Sequence, residues 1–194
     1  FASFWMVPRL QKFRDDLPGI DLRIQTADRD IDLMAESIPL GIRGGSAEDW
    51  PDYELLPLAP EEIWAVAGPS YVARAGMPQT LPDLARQRLI HLEEPFRPAA
   101  TWKEWFESAG LRGAGANRGL LINDYVSVIQ ASMEGQGVAL GWRHLTEALL
   151  TSGLLVRVSD HVMTTGKGFH VASAKNRALS DNARRVRDWL VAQA

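Results

Sequence analysis

Apolar and polar positions along the chain alternate between the period of a helix and the period of a strand. Helical spacing of apolar residues predicts helices at 1–17, 30–37, 69–75, 81–87, 102–109, 124–135, 144–151 and 180–192. Strict alternation or a short apolar run predicts strands at 20–27, 40–42, 53–58, 61–67, 89–92, 119–122, 138–142, 154–158 and 168–173. Short apolar strands that alternate with helices are typical of a mainly parallel α/β sheet. Strands in both halves of the chain, with a late strand and helix, also indicate two lobes with chain crossovers.

The first predicted helix carries apolar residues on more than one side. Phe1 and Trp5 fall on one side, whereas Met6 and Leu10 fall on another. A wide apolar stripe is typical of deep burial, or of a helix that packs on the core with one face and on a partner with the other. We expect Pro8 to kink this helix or to lie in its first turn.

The stretch NDYVSVIQASMEGQGVALGW, residues 123–142, joins a polar pair to an apolar helix and a short apolar strand. Asn123 or Asp124 is expected to cap the helix by accepting from its free backbone N–H groups. Helix starts that follow strand ends lie where ligands bind in open α/β sheets, and their dipole favours an anion. The polar pair is therefore either a cap alone or a cap that also contacts a ligand. Gly135 and Gly137 follow a helix and precede a strand, which is the reverse of a dinucleotide-binding motif.

Composition excludes several classes of function. The net charge is −3, and this argues against a nucleic-acid surface on the chain, because phosphate binding requires clustered Lys and Arg. There is no cysteine, the 4 histidines are scattered, and no apolar run approaches the length of a membrane span. No nucleophile, base and orienting group are singled out by their spacing. We therefore expect no enzyme activity, metal, cofactor or membrane contact.

Several segments together resemble the effector-binding domain of LysR-type transcriptional regulators. They are FWMVPRLQKFRDDLPGIDLRI, PLGIRGG followed by WPDYELLPL, TWKEWFESAGL, QASMEGQGVALGW and the closing NARRVRDWL. The resemblance covers essentially the whole chain and is closest to the subgroup that contains glycine-cleavage and β-lactamase regulators. The segment 36–39 departs from the family, which usually has Asp just before the strand and Gly slightly earlier. We therefore expect a rebuilt turn at this point.

The resemblance implies a type 2 periplasmic-binding-protein-like fold, in which two Rossmann-like lobes are joined by two crossing strands at about 61–67 and 168–173. Lobe I would comprise 1–63 and 169–194, and lobe II would comprise 64–168. A small-molecule effector would bind in the cleft between the lobes. A winged helix-turn-helix that precedes this domain, and is absent from this chain, would bind DNA in the cytoplasm. The family also implies a homodimer, or a tetramer at full length, in which helix one packs antiparallel to the helix at 124–135.

The candidate effector-binding residues are Ser3, Thr26, Asp28, Asp32, Arg43, Gly44, His91, Asn123, Asp124, Trp142 and Phe169. Arg43 ends a buried strand and is expected either to hold a ligand carboxylate in a bidentate pair or to form a structural ion pair. Asp32 would contact a ligand ammonium or complement a helix dipole, and Phe169 would line the pocket or pack in the core. The effector is therefore expected to be a carboxylate or an amino-acid-like compound. Two alternatives stay open: a periplasmic solute-binding protein with an upstream secretion signal, and an enzyme on the same scaffold.

Overall fold

The computed structural model describes residues 1–27, 29–94, 99–115 and 119–194. The α-helices are α1 (Leu10–Asp16), α2 (Pro69–Ala75), α3 (Leu81–Ala85), α4 (Trp102–Ser108), α5 (Tyr125–Met133), α6 (Arg143–Thr151) and α7 (Asp181–Ala192). The strands are β1 (Gly41–Gly45), β2 (Tyr53–Ala67), β3 (Ile90–Leu92), β4 (Leu120–Ile122), β5 (Val138–Trp142), β6 (Val156–Arg157) and β7 (Met163–Ala174). A π-helical turn at Ala2–Met6 and 3-10 turns at Val7–Arg9 and Ala47–Asp49 complete the helical segments. None of the helices in these ranges has the length and apolar character that would let it cross a bilayer.

The chain forms two compact units. Unit 1 comprises Phe1–Glu61 and Thr164–Ala194, and unit 2 comprises Glu62–Met163. The long strands β2 and β7 contain the two points at which the chain passes from one unit to the other. The lobe boundaries expected after residues 63 and 168 stay a prediction.

Unit 1 is built on strands β1, β7 and the first part of β2. Strand β1 pairs antiparallel with β7, from Gly41 opposite Ala172 to Gly45 opposite Gly168, and β7 neighbours β2. The amphipathic helix α7 packs its Trp189 ring edge-on against Phe13, with the ring centroids 5.2 Å apart. The Trp189 indole N–H also donates to the Asp16 carboxylate at 2.8 Å, so α7 is fixed to α1 by both packing and a hydrogen bond.

Unit 2 contains both parallel and antiparallel pairs. Strands β3 and β4 are parallel, and the intervening helix α4 makes this a β-α-β unit. Strands β5 and β6 pair antiparallel with β2. The centre of the core is aromatic: Trp105 and Phe106 of α4 are fully buried, and the Trp105 indole N–H donates to the Ile63 carbonyl at 3.1 Å.

The predicted cap of helix α4 is confirmed. The Thr101 hydroxyl accepts from the Glu104 N–H, and the Glu104 carboxylate accepts from the Thr101 N–H at 2.7 Å. Each side chain thus satisfies a backbone donor that the first turn of the helix would otherwise leave open. Gly110, with a φ of 85°, follows the helix in the left-handed region, where glycine costs least.

The first helical segment is not the single α-helix that the apolar spacing predicted. A π-helical turn and a 3-10 turn precede α1, and Pro8 lies in the 3-10 turn. Because proline has no N–H to donate, a regular α-helical hydrogen-bond ladder cannot pass through this position. Trp5 and Met6 are buried, whereas the side chain of Val7 is 53% exposed.

Four other expectations are wrong. Residues 20–27 form no strand, and Leu22 and Ile24 are 36% and 43% exposed, because no segment of the described chain pairs with them. The predicted helix at 30–37 is a set of turns that Ser37 ends with a φ of 55°. The strands predicted at 53–58 and 61–67 are one strand, β2, which tolerates two internal prolines. The mainly parallel sheet is wrong as well, since the pairs β1–β7, β2–β5 and β2–β6 are antiparallel.

Candidate functional site

Arg43, in unit 1, is held by its own neighbourhood. The residue is 7% exposed, and its Nη2 donates to the Ile31 carbonyl. Its Nη1 lies 3.5 Å from the Ile42 carbonyl and 3.9 Å from the Asp30 carboxylate, and the guanidinium lies 4.9 Å from the Trp50 ring centroid. Its Nε has no hydrogen-bond partner among the described residues. A bidentate pair with a ligand carboxylate would therefore use Nε or displace the Ile31 carbonyl, and it stays a prediction.

Asp32 lies in the turns that follow Ile31 and is exposed. Its carboxylate accepts from the Met34 N–H at 2.8 Å and the Ala35 N–H at 3.3 Å, and from the Tyr53 hydroxyl at 3.3 Å. These hydrogen bonds, led by that from the Met34 N–H, hold the pKa of Asp32 below its ordinary value. The carboxylate is thus charged near neutral pH and is held by the backbone of the turns. Residues 30–37 form no helix whose dipole it could complement, and its contact with a ligand stays a prediction.

The remaining candidates of unit 1 are spread over several segments. Ser3 is exposed in the π-helical turn, and Thr26 is exposed in the segment where the strand was expected. Gly44 and Phe169 lie opposite each other in the β1–β7 pair, and the Gly44 carbonyl accepts from the Trp50 indole N–H at 2.9 Å. Asp28 lies outside the described residues.

In unit 2, Asp124 rather than Asn123 caps helix α5. Its carboxylate accepts from the Ser127 N–H at 2.8 Å and from the Ser127 hydroxyl at 2.6 Å. The Ser127 hydroxyl contributes most to holding the pKa of Asp124 below its ordinary value. The anion that this helix start favours is therefore supplied by the protein itself, and a ligand carboxylate placed there would meet a like charge. Asn123 is exposed beside the cap.

Trp142 ends β5 and packs against the first residue of α5. The Tyr125 and Trp142 rings meet edge-on with their centroids 5.2 Å apart, and the Trp142 N–H donates to the Tyr125 hydroxyl at 3.1 Å. Burial raises the pKa of Tyr125, so its hydroxyl stays protonated. The start of α5 is thus joined to the end of β5 by a ring contact and a backbone hydrogen bond.

Two of the predicted site residues line one cavity in unit 2. The strand-end cavity has a volume of about 40 Å³, and its wall includes His91, Thr101 and Trp142 with the apolar side chains of Ile90, Val128 and Leu140. It lies beside the carboxyl ends of β3 and β5 and the amino-terminal parts of α4 and α5. Ligands of open α/β sheets bind at strand ends of this kind. The structure thus brings His91 and Trp142 together.

Two tyrosines that hold candidate site residues in position were not predicted from the sequence. Tyr53 accepts from the Leu33 N–H at 3.3 Å and contacts Asp32, so it holds the turns after Ile31 to β2. Tyr125 connects α5 to β5. Each occurs in an apolar segment, and the only available signal was that a buried tyrosine usually finds a hydrogen-bond partner for its hydroxyl. In the described ranges no group of three or more His, Asp or Glu residues is arranged to hold a metal ion.

Comparisons with known proteins match the whole chain to one family. The family model described as the LysR substrate binding domain matches residues 1–194. The glycine cleavage system transcriptional activator of Escherichia coli (strain K12) is 29% identical over 194 residues, which are 100% of this chain and 62% of that protein. The HTH-type transcriptional activator AmpR of Rhodobacter capsulatus is 27% identical over 194 residues, 100% of this chain and 64% of that protein. The chain therefore spans less than two thirds of the length of these relatives.

Solved structures agree with the family match. The effector domain of the transcriptional regulator AmpR of Pseudomonas aeruginosa superposes with a TM-score of 0.80 at 26% identity, covering 100% of this chain and 90% of that one. The regulatory domain of CrgA from Neisseria meningitidis has a TM-score of 0.79 at 19% identity, covering 99% and 93%, and bears on the fold alone. The predicted α/β fold of two periplasmic-binding-protein-like lobes is confirmed by these likenesses.

Proposed function

Because the chain belongs to the LysR substrate binding domain family, we propose that it is the effector-sensing and oligomerisation domain of a LysR-type transcriptional regulator that acts on DNA in the cytoplasm. The observation that carries this proposal is the family match over residues 1–194, together with relatives that are named as transcriptional activators. The transport alternative is not favoured, since these relatives are named as regulators. DNA would be bound by a helix-turn-helix domain elsewhere in the full-length protein.

The proposed mechanism is a shift between two arrangements of the protein. An effector changes the relative populations of the two arrangements only if it binds one of them more tightly than the other. Couplings of this kind are typically about 1–3 kcal/mol, which corresponds to a change of about 5- to 150-fold in the affinity of the second site. A change of that size in DNA affinity is sufficient to switch a promoter contact.

The charges of the candidate residues support an amino-acid-like effector. Arg43 is the one cation among the candidates, and its Nε, which has no hydrogen-bond partner in the part of the chain that the structure describes, suits a carboxylate oxygen. Asp32 and Asp124 are exposed carboxylates whose pKa values are lowered, so each is charged near neutral pH and suits an ammonium group. A zwitterion satisfies both kinds of group, whereas a simple anion would satisfy only Arg43.

Isothermal titration calorimetry tests whether the effector is amino-acid-like. Individual α-amino acids are titrated, and so are the corresponding amines that lack the carboxylate. We expect heat for at least one amino acid and none for its amine. Arg43→Met should abolish the heat, and Asp32→Asn should weaken binding at least tenfold. Arg14→Met and Asp15→Asn, which remove exposed charges of α1, are the matched controls and should bind as the wild type does. Absence of heat for every amino acid would refute the effector class.

Exposed apolar residues support the proposed homodimer. On unit 2, Leu120 and Leu121 of β4 are 45% and 58% exposed, and on unit 1 Val7, Leu22 and Ile24 are also exposed. Apolar side chains in the first helical segment and next to α5 fit the predicted packing of these two elements between copies. Sedimentation equilibrium should show a dimer that Leu121→Asp converts to a monomer. Leu154→Asp, at a side chain that is 52% exposed elsewhere in unit 2, should leave the dimer intact. A wild-type monomer at high concentration would contradict the dimer.

A further inference from the structure

Arg43 and His170 lie directly opposite each other in the β1–β7 pair of unit 1. Directly opposed side chains of an antiparallel pair point to the same face of the sheet, with their Cβ atoms about 5 Å apart. Neighbours along a strand point to opposite faces, so Gly44 and Phe169 belong to the other face. A ligand group on Arg43 would therefore meet His170 rather than Phe169.

The two side chains also share an unmet need for a hydrogen-bond partner. Arg43 Nε and His170 Nδ1 are buried, and neither has a partner among the residues that the structure describes. Buried polar groups are nearly always hydrogen-bonded, because an unmade bond leaves the cost of desolvation without compensation. A single acceptor group placed between the two side chains would satisfy both nitrogens, provided that His170 carries a proton on Nδ1.

The guanidinium of Arg43 has one edge that suits such an acceptor. Its Nη1 faces the Ile42 carbonyl and the Asp30 carboxylate, whereas its Nη2 donates to the Ile31 carbonyl. Nε and Nη2 form an edge that binds a carboxylate through two parallel N–H···O bonds. A carboxylate that displaces the Ile31 carbonyl would pair with this edge and accept a third hydrogen bond from His170.

The Ile31 carbonyl belongs to a segment that covers this face of β1. Leu33 is 3% exposed, and its methyl carbons lie 3.0 Å from the place that a Cβ on Gly41 would occupy. The segment is joined to β2 as well, since the Leu33 N–H donates to the Tyr53 hydroxyl at 3.3 Å. Because the Nε of Arg43 is buried, a ligand reaches it only when this cover moves. Loss of the bond between Arg43 and the Ile31 carbonyl would thus loosen the turns that follow.

We infer that Arg43 and His170 together bind the carboxylate of the effector, which displaces the Ile31 carbonyl from Arg43 and releases the turns at 31–37. This inference rests on the proposed effector-sensing function and deepens it. It adds a second contact for the carboxylate and identifies the segment of unit 1 whose conformation the carboxylate changes. It also sets a rule of selection, because a carboxamide has one acceptor oxygen where a carboxylate has two.

Nuclear magnetic resonance with acetate as the probe tests the inference on the wild-type protein. The Arg43 Nε–H and the His170 ring nitrogens give separate signals, which are assigned by their loss in Arg43→Lys and His170→Phe. We expect acetate to shift both signals and the Leu33 amide signal in a saturable way. Acetamide, and sodium chloride at the same ionic strength, should shift none of them. Equal shifts with sodium chloride would reveal an ionic-strength effect only and would overturn the inference.

Variants measure the contribution of each side chain to acetate binding. His170→Phe keeps a ring without the donor and should weaken binding about tenfold or more, the loss expected for one hydrogen bond to a charged group. His170→Asn places an amide N–H near the position of Nδ1 and should recover most of that loss. Arg43→Lys keeps the charge without the two-bond edge and should abolish the Leu33 shift. His161→Phe, at a histidine of unit 2 whose Nε2 lies 2.8 Å from the Ser108 hydroxyl, is the matched control and should bind acetate as the wild type does.

The outcomes separate this inference from the proposed function. If amino acids give heat in calorimetry but shift neither the Arg43 nor the His170 signal, the effector class stands and the paired site is refuted. If acetate shifts both signals although no amino acid gives heat, the paired site stands and the effector class fails. If His170→Phe binds acetate as tightly as the wild type does, His170 is not a contact and the inference fails, while Arg43 keeps its proposed role.

Discussion

His144, on helix α6 of unit 2, should make the stability of the protein depend on pH between neutrality and mild acid. Burial lowers the pKa of this imidazole from 6.5 to about 3, because the charged form loses hydration. In the folded protein His144 is therefore neutral, whereas in the unfolded chain it takes up a proton below about pH 6.5. Acid thus favours the unfolded state.

The sign and size of the effect follow from proton linkage. The folded-state pKa is depressed, so the unfolded state binds more protons, and stability falls as the pH falls from about 6.5 towards 3. Between pH 7 and pH 5 a single histidine of this kind lowers the free energy of unfolding by about 2 kcal/mol. This figure depends little on the folded-state pKa, provided that the pKa lies well below 5.

Urea denaturation measures the contribution of His144 to the free energy of unfolding. The wild type and His144→Gln are compared at pH 7 and pH 5, and unfolding is followed by tryptophan emission. Four of the seven tryptophans, among them the buried Trp105 and Trp142, lie in unit 2, so a large part of the emission reports the unfolding of that unit. We expect the wild type to lose about 2 kcal/mol more than the variant between the two pH values. Asp32 and Asp124 do not confuse the comparison, because their lowered pKa values place their own losses at lower pH. An equal loss in His144→Gln would refute the reasoning.

Two further predictions concern backbone contacts. Gly68→Ala would place a Cβ atom 2.5 Å from the Met133 carbonyl oxygen and 2.6 Å from that of Ser132, so it should lower the free energy of unfolding by about 1–3 kcal/mol in urea denaturation; an unchanged midpoint would contradict the steric argument. Ser180→Ala removes the hydroxyl that accepts from the Ala183 N–H at 3.2 Å at the start of α7. It should cost about 1 kcal/mol in thermal unfolding, and Ser180→Asp should recover most of the loss; an equal loss in both variants would show that the cap is not the cause.

Elements whose signals are local could be predicted from the sequence. The start of α4 was found because Thr101 and Glu104 satisfy each other's backbone donors, whatever the rest of the chain does. The start of α5 could be predicted because Asn and Asp are preferred helix caps, and only the choice between Asn123 and Asp124 needed the structure. Capping residues act within one turn of the helix, so their effect can be seen in a few letters of sequence.

Elements that depend on a distant partner could not be predicted in this way. Residues 20–27 have the alternation of a strand, but a strand also requires a neighbour, and alternation carries no information about one. Two strands were expected at 53–58 and 61–67, but the structure has the single strand β2, because a strand tolerates proline where its missing N–H is not needed by a neighbouring strand. The crossing strands β2 and β7 pair antiparallel with β1, β5 and β6. Their partners are distant in the sequence, so these pairings depend on the path of the chain between them.

In the candidate site too, local properties could be predicted from the sequence, whereas contacts between distant segments could not. Arg43 was identified as a buried cation that needs partners, but the sequence could not show that the Ile31 carbonyl and Asp30 lie beside it. His91 and Trp142 were placed at strand ends, which is a local property, whereas their common cavity depends on the pairing of several elements. Tyr53 and Tyr125 were missed because each bonds to a residue about 20 or 17 positions away.

The division of the chain has a consequence for biosynthesis. Unit 2 is continuous from Glu62 to Met163 and needs no later residue for its internal pairings, so it is complete once that segment has left the ribosome. Strand β1 is synthesised earlier, but it cannot pair until β7 has been synthesised, because Gly41 pairs with Ala172. Translation therefore finishes the inserted unit first and closes the discontinuous one last, and the edge of β1 stays without β7 during that interval.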